Sequence, residues 1–335
     1  MSYLRVFVLA IFTVFVVNAL AQSSCGPAEI AIDVIQPSGA AIEGLAAADF
    51  SAEFKRQALT IQSLTYDSGP RRILIVMDET RDIPAEGRKA QMELVAGLIA
   101  AAQPADSLAL LTARGAPHQV KFGADRSALL SALGENTGEQ DKGKQLGVLD
   151  AVAEGITWFG EPRLGDTIVV LALDTEGNRK TNYSSVAKML EEHRIRLFGV
   201  AFGHLILTNL SHATMATSRE GFGYVQPGMP LSGSSGDANF LPLSVNSGGY
   251  VIPEDAASKR LEFKVTDSKK EELRRTATAM ARLIDNVYAV RLQAGTSTHA
   301  EPWSINLSHA KSQALPGARI LYPHELIACA PAGKH

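Results

Sequence analysis

The sequence predicts an α/β fold, a doubly wound and mostly parallel sheet, together with a small β-rich domain built from the N- and C-terminal segments. Three observations predict it. Short apolar segments that suit strands buried on both faces alternate with helical segments in the middle of the chain. Both ends instead show short strand patterns separated by turn residues. Acidic residues directly follow two of the apolar segments, at the edge of such a sheet where ligands bind.

Length and composition indicate the class of protein before any motif is considered. The chain has 335 residues, of which 46% are hydrophobic and 20% charged, and this is typical of a globular protein with more than one domain. The net charge of −3 provides no excess of basic residues. The composition therefore does not support binding to nucleic acid or to an anionic membrane surface.

Residues 1–21 have the organisation of a secretory signal peptide. Arg5 precedes an apolar segment, Val6–Val17, and small residues lead to a cleavage position after Ala21. We expect the mature protein to be secreted, periplasmic or held at the cell surface, with membrane contact only through this transient segment. One alternative is an uncleaved membrane anchor, but the apolar segment is short for a bilayer span. Another is a lipoprotein attached through Cys25, but the position three residues before Cys25 lacks the usual apolar side chain.

The two cysteines, Cys25 and Cys329, lie near the two ends of the mature chain. An exported protein meets oxidising conditions, so we expect a structural disulfide between them, and the alternative is two unpaired thiols. The sequence contains no CxxC or Cys/His spacing of the kind that binds zinc.

The N-terminal segment, residues 22–69, has the pattern of a small β unit. Its predicted strands contain Ala31–Ile35, Ala52–Phe54 and Leu59–Leu64. Glycine and proline at positions 69 and 70 mark its end.

The central segment, residues 70–252, is predicted to be the α/β domain. Its strands are expected at Ile73–Met77, Asp106–Thr112, Thr167–Leu173 and Ile195–Phe202, with a short edge strand at Val120–Phe122. Helices are expected at Glu86–Ala102, Asp125–Leu133, Val148–Ile156 and Tyr183–His193. Residues 204–237 are rich in glycine, proline and serine and form a loop insertion, which is either functional or merely flexible.

The C-terminal segment, residues 253–335, is predicted to contain a helix followed by three strands. Ser268 and Glu271 have the spacing of a capping box at the start of the helix. The strands are expected at Tyr288–Leu292, Trp303–Leu307 and Ala318–Tyr322. Because the chain begins and ends in β-structure, we expect the two ends to pack together, which a bridge between the two cysteines would also require.

The order of these parts resembles von Willebrand factor type A domains, in the form found in exported bacterial VWFA-related proteins of the Acidobacteria type. The resemblance covers nearly the whole mature chain. It is carried by Gly39, Gly44-Leu45, Asp49-Phe50, Ile73–Asp82, Pro104 to Asp106, Leu149 to Ala151, Gly248-Gly249, Tyr288, Trp303 and Ala318-Arg319.

The resemblance implies a metal-ion-dependent adhesion site at the carboxyl edge of the sheet. In the family an Asp-x-Ser-x-Ser loop, a threonine and a further aspartate surround a divalent cation, which also binds a carboxylate of the partner protein. Asp78 matches the first aspartate, Thr80 the first hydroxyl and Asp174 the later aspartate, whereas Asp82 replaces the second hydroxyl. These oxygen ligands suit Mg²⁺ or Ca²⁺.

The second loop of this site departs from the family. Leu146 stands where the resemblance requires the threonine, and neighbouring Gln145 offers an amide oxygen as a possible accessory ligand. The additional acid at Asp82 favours Ca²⁺ or lowers the affinity of the cation for an acidic partner. The missing threonine indicates that the site is degenerate and could be vestigial.

The same residues have structural alternatives that need no metal. Asp78 and Asp174 could cap the helices that follow their strands, Asp82 could complement a helix dipole, and Thr80 could be a turn residue. An enzyme is not supported, because the sequence has neither GxSxG nor HExxH, although a hydrolase using His204 with these carboxylates is conceivable. We therefore expect a non-enzymatic module that binds a protein or peptide partner. The alternative is a metal-free scaffold that binds through its β-rich ends or residues 204–237.

Overall fold

A computed structural model describes residues 27–79, 85–113, 119–134, 146–172, 181–202, 240–254, 264–293 and 299–327. The described residues do not include residues 1–21, Cys25, Cys329 or residues 204–237. The signal peptide, the disulfide between the two cysteines and the loop insertion therefore stay predictions.

A six-stranded sheet forms the centre of the α/β domain. Its strands, in chain order, are β5 (Arg72–Asp78), β6 (Ser107–Ala113), β7 (Gln119–Val120), β8 (Thr167–Ala172), β9 (Arg196–Phe202) and β10 (Val251–Glu254). They lie side by side in the order β10-β9-β8-β5-β6-β7, with all pairs parallel except β6 with β7. The chain thus builds one side of the sheet outward from β5 and then returns to build the other, as in a doubly wound fold.

Helices cover both faces of this sheet because its strands are apolar on both faces. The helices of the domain are α1 (Ala85–Ala101), α2 (Arg126–Gly134), α3 (Val148–Ile156), α4 (Tyr183–Glu192), α5 (Phe240–Asn246) and α6 (Asp267–Asp285). Ile73, Ile75 and Met77 of β5 pack with α1, α2 and α6 on one face. Leu74 and Val76 pack with α3, α4 and α5 on the other.

The two ends of the chain form a β-sandwich of two four-stranded antiparallel sheets. Its strands are β1 (Ala28–Ile35), β2 (Phe50–Phe54), β3 (Gln57–Leu59), β4 (Ile61–Asp67), β11 (Val287–Leu292), β12 (Ala300–Leu307), β13 (Arg319–Leu321) and β14 (Glu325–Ile327). One sheet has the order β13-β1-β11-β4 and the other β14-β12-β2-β3. N-terminal and C-terminal strands alternate in the first sheet, whereas in the second sheet the C-terminal pair β14-β12 lies beside the N-terminal pair β2-β3. Strands from both ends share one apolar core.

The predicted fold class is confirmed, with a doubly wound sheet and a β-rich unit made from both ends. The structure places α6 against α1, so this helix belongs by packing to the α/β domain although it follows residue 252. The sequence analysis missed strand β14 and a short helix, α7 (His309–Ala314). No helix in the described ranges is both long and apolar enough to cross a membrane.

One local prediction was wrong. The sequence placed a capping box at Ser268, but the N-cap of α6 is Thr266, whose hydroxyl oxygen accepts a hydrogen bond from the backbone N–H of Lys269. Thr266 has the extended backbone (φ −75°, ψ 167°) of an N-cap residue, and the helix has already begun when the chain reaches Ser268.

Candidate functional site

The topological switch point of the parallel sheet lies between β5 and β8. The chain passes from β5 to β6 on one side and later returns to β8 on the other, so the strands that follow β5 and β8 in the chain lie on opposite sides of this point. In open α/β sheets the crevice at the carboxyl ends of such strands is where ligands bind. Asp78 is the last residue of β5 and therefore lies at this crevice.

The end of β5 is buried and acidic. Asp78 is 0% exposed and the next residue, Glu79, is 8% exposed. The backbone N–H of Glu79 donates to the carbonyl of Ala113 at 2.9 Å, which holds the end of β5 against the end of β6. Carboxylates are buried in proteins when hydrogen-bond donors or cations compensate for the lost water, so this position is suited to a hard cation.

Of the predicted metal ligands, the structure describes only Asp78. Thr80 and Asp82 follow it within four positions, and Asp174 comes two residues after Ala172, the last residue of β8. These three residues and Gln145 lie outside the described residues, so their role stays a prediction. Within the described part of the chain, no group of three or more His, Cys, Asp or Glu side chains is arranged to hold a metal ion.

The loop before α3 has a structural function that the sequence analysis did not recognise. Leu146, which stands in place of the expected threonine, packs against the apolar core beneath α3 and α4. One carboxylate oxygen of Asp150 accepts from the backbone N–H of Gly147 at 3.3 Å, and the other from that of Thr181 at 2.8 Å. Asp150 thus ties the start of α3 to the segment that precedes α4. Its position three residues after Gly147 is the sequence signal that could have indicated this cap.

The opposite edge of the sheet, at the amino ends of the strands, holds an interdomain ion pair. Arg196, at the start of β9, donates to the carboxylate of Asp33 in β1 at 2.6 Å, and the two side chains are 2% and 1% exposed. Burial raises the pKa of Asp33 to about 6 although the guanidinium of Arg196 acts to lower it. Burial also lowers the pKa of Arg196. Both shifts have the same cause, since burial disfavours the charged form of either group.

Arg71 lies beside this pair and connects three parts of the molecule. Its guanidinium donates to the backbone carbonyl of Asp67 at 2.6 Å, to that of Asp285 at 3.0 Å and to that of Leu164 at 3.3 Å. It also forms an ion pair with the carboxylate of Asp67 at 3.0 Å. The end of β4, the end of α6 and the loop before β8 are thereby held together by one side chain. The amino edge is thus a structural joint between the α/β domain and the β-sandwich.

Comparison with known proteins yields matches among solved structures alone. No protein-family model and no curated protein matches the chain. An aerotolerance-related membrane protein from Bacteroides fragilis has 14% identity and a TM-score of 0.42, covering 65% of this chain and 99% of that protein's. A von Willebrand factor type A protein from Catenulispora acidiphila has 11% identity and a TM-score of 0.41. The match covers 92% of this chain and 75% of the Catenulispora chain.

A third similar structure is proximal thread matrix protein 1 from the mussel byssus, with a zinc-occupied metal-ion-dependent adhesion motif. It has 10% identity and a TM-score of 0.41, and the match covers 68% of this chain and 50% of that protein's. The three matches have identities of 14% or less and TM-scores below 0.5, so they assign neither a family nor a function to this chain. The assignment of the fold class itself rests on the strand order and on the helices that cover both faces of the sheet.

Proposed function

We propose that the chain is an exported, non-enzymatic protein-binding or adhesion module that binds a protein or peptide partner at the carboxyl edge of its parallel sheet. A degenerate divalent-cation site formed by Asp78, Thr80, Asp82 and Asp174 assists the binding. The cation is Mg²⁺ or Ca²⁺, because every predicted side-chain ligand offers oxygen. A carboxylate of the partner completes the coordination, so the partner is acidic where it meets the cation.

The position of Asp78 is the observation that carries this proposal. Its carboxylate is buried at the end of the central strand β5, at the switch point where α/β sheets bind ligands. The sequence supplies further oxygen ligands within a few residues of the ends of β5 and β8. The proposal that the module is not an enzyme is supported by the absence of GxSxG and HExxH motifs from the sequence.

A second candidate function is a metal-free scaffold that binds partners through its β-rich ends or residues 204–237. One observation favours it. Leu146 places an apolar side chain, packed against the core, at the position from which the family site takes a threonine hydroxyl. A site that lacks this ligand binds a cation less tightly, and its remaining acids could serve as helix caps.

Thermal unfolding of the full-length chain distinguishes these two functions. We would compare excess Mg²⁺, excess Ca²⁺ and chelator for the wild type, for Asp78→Asn and for Asp174→Asn. A cation that binds only the native state adds about 2.7 kcal/mol to the free energy of unfolding at a hundredfold excess over its dissociation constant. We expect the wild type to show this gain with one of the ions and both variants to lose most of it.

The matched control is Glu53→Gln, which removes an exposed carboxylate from β2 of the β-sandwich. This variant should keep the full response to the cation, because it changes the net charge by the same amount at a distant site. If neither ion stabilises the wild type, the cation site is not functional and the metal-free scaffold becomes the better description.

A further inference from the structure

A cavity of about 210 Å³ lies between the α/β domain and the β-sandwich. It is at the amino edge of the parallel sheet, whereas Asp78 is at the carboxyl edge. On the α/β side its walls are the loop before β8, the end of α4, the start of β9 and the end of α5. On the sandwich side they are Ala28–Ala31 of β1 and Glu325–Ile327 of β14.

One wall of the cavity is an incomplete strand edge. On one side, β1 pairs with β11 over Ala28–Ile32. On the other side, β13 pairs only with Asp33–Ile35, because the chain then crosses to the second sheet and continues there as β14. Within the described ranges, no strand pairs with this second edge over Ala28–Ala31, and these four residues face the cavity. An open strand edge is a template for the backbone of another extended segment.

The opposite wall is apolar and suits side chains from such a segment. Leu190, Ile195 and Leu243 line the cavity on this side, together with the small side chain of Ala187, and Leu326 of β14 adds an apolar side chain on the sandwich side. An added strand forms backbone hydrogen bonds to the edge and places alternate side chains into pockets, which give the interaction its specificity.

Two acidic side chains lie together where α4 and β14 border the cavity. Glu191 and Glu325 both line it, and their side chains hydrogen-bond to each other. One carboxylate oxygen of Glu191 is buried without a hydrogen-bond partner. Burial and the adjacent carboxylate of Glu325 raise the pKa of Glu191 to about 7. A cationic side chain between these carboxylates would supply the missing donor and relieve their repulsion.

The cavity also contains a backbone feature that is common at ligand sites. Arg194 follows α4 with a φ of 52°, in the left-handed region where glycine or asparagine is usual. A residue held in this conformation carries strain, and such strain clusters at binding sites. Arg163 lines the cavity as well.

We propose that this interdomain cavity binds an extended, basic peptide segment of a partner protein, which adds as a strand to the edge of β1. Its apolar side chains enter the cavity, and a lysine or arginine side chain lies between Glu191 and Glu325. This site is separate from the carboxyl edge, and the proposal does not depend on the cation site.

The first test uses the full-length chain and three labelled peptides at pH 7.5, with binding followed by fluorescence anisotropy. The probe is an acetylated and amidated six-residue peptide of alternating valine and lysine. The second peptide has glutamate in place of lysine, and the third has the probe sequence with N-methyl groups along the backbone edge that would pair with β1. We expect saturable binding of the probe, with both other peptides weaker by about tenfold or more.

Variants of the chain then locate the site. Glu191→Gln combined with Glu325→Gln should reduce the preference for the lysine peptide over the glutamate peptide from about tenfold to about twofold. Ala187→Phe should lower the affinity for all three peptides, because the larger side chain fills the cavity. Thermal unfolding checks that this variant folds. Glu53→Gln is the matched control and should leave the preference unchanged.

Two results would overturn the proposal. One is that the probe does not bind at millimolar concentration. The other is that N-methylation of the probe or the double glutamine variant leaves its binding unchanged. Chelator and Asp78→Asn should have no effect on the probe, so failure of this site is distinguishable from failure of the cation site.

Discussion

The two edges of the parallel sheet use their charged residues in different ways. At the amino edge Arg71 and Arg196 are buried and each bonds to partners in other parts of the chain. At the carboxyl edge the central strand ends in Asp78 and Glu79, and the sequence adds Asp82 and Asp174 nearby. The amino edge is therefore committed to joining two domains, whereas the carboxyl edge places two buried acids at the switch point, where the proposed ligand would bind. Charge at the first edge should control stability, and charge at the second should control binding.

The largest effect should come from breaking the ion pair at the amino edge. Arg196→Met leaves Asp33 buried without its cation, and we expect the free energy of unfolding to fall by about 3–5 kcal/mol at pH 8. The loss should be smaller at pH 5, because a protonated Asp33 carries no charge to be compensated. Urea denaturation of the wild type and the variant at pH 8 and at pH 5 measures the loss at each pH.

A paired variant tests whether the effect arises from the uncompensated charge. Arg196→Met combined with Asp33→Leu removes both charges and leaves apolar groups at the interface, so most of the lost stability should return. If the double variant is as unstable as the single one, the guanidinium contributes through packing and through its bond to the carbonyl of Ile284, and charge at the amino edge does not control stability.

The ease of predicting these edges from the sequence also differs. Asp78 was placed correctly at the end of β5 because an apolar segment that stops at an acid is a local pattern. The partners Arg196 and Asp33 are 163 positions apart and meet only when the two domains pack, so no local pattern connects them. The short helix α7 was missed because six residues are too few for a clear helical period. The other predicted metal ligands lie outside the described residues, and the alternation of apolar and polar residues does not determine how their side chains are arranged.

A smaller effect is expected from a second acidic residue at the amino edge, Asp285 at the end of α6. Burial and the neighbouring carboxylate of Asp106 raise the pKa of Asp285 to about 7. A carboxyl group whose pKa is higher in the folded state stabilises the protein while it is protonated. This contribution is lost as the pH rises from the unfolded pKa, near 4, through 7.

Asp285→Asn removes this titration. Between pH 5 and pH 8 we expect the wild type to lose about 2 kcal/mol more of its free energy of unfolding than the variant does, as measured by urea denaturation. Groups that do not interact with Asp285, including Glu191, titrate equally in both proteins and cancel in the difference. Parallel pH profiles for wild type and variant would show that Asp285 has an ordinary pKa and that the amino edge tolerates its charge.

The smallest effect tests the end of α6 that lies at the carboxyl edge. The backbone N–H of Val265, just before this helix, donates to the carboxylate of Glu86 at the start of α1, so both helices begin on the same side of the sheet. Thr266→Ala removes the N-cap of α6 and should lower the free energy of unfolding by about 1 kcal/mol. Ser268→Ala is the matched control, because that residue already lies inside the helix, and it should change stability by less than about 0.5 kcal/mol. If the two variants lose equal amounts of stability, Ser268 contributes to capping after all, as the sequence predicted. Alternatively, Thr266→Ala alone is destabilising and leaves the pH profile between 5 and 8 unchanged. The two ends of α6 then act independently, which the separation between the structural edge and the proposed binding edge requires.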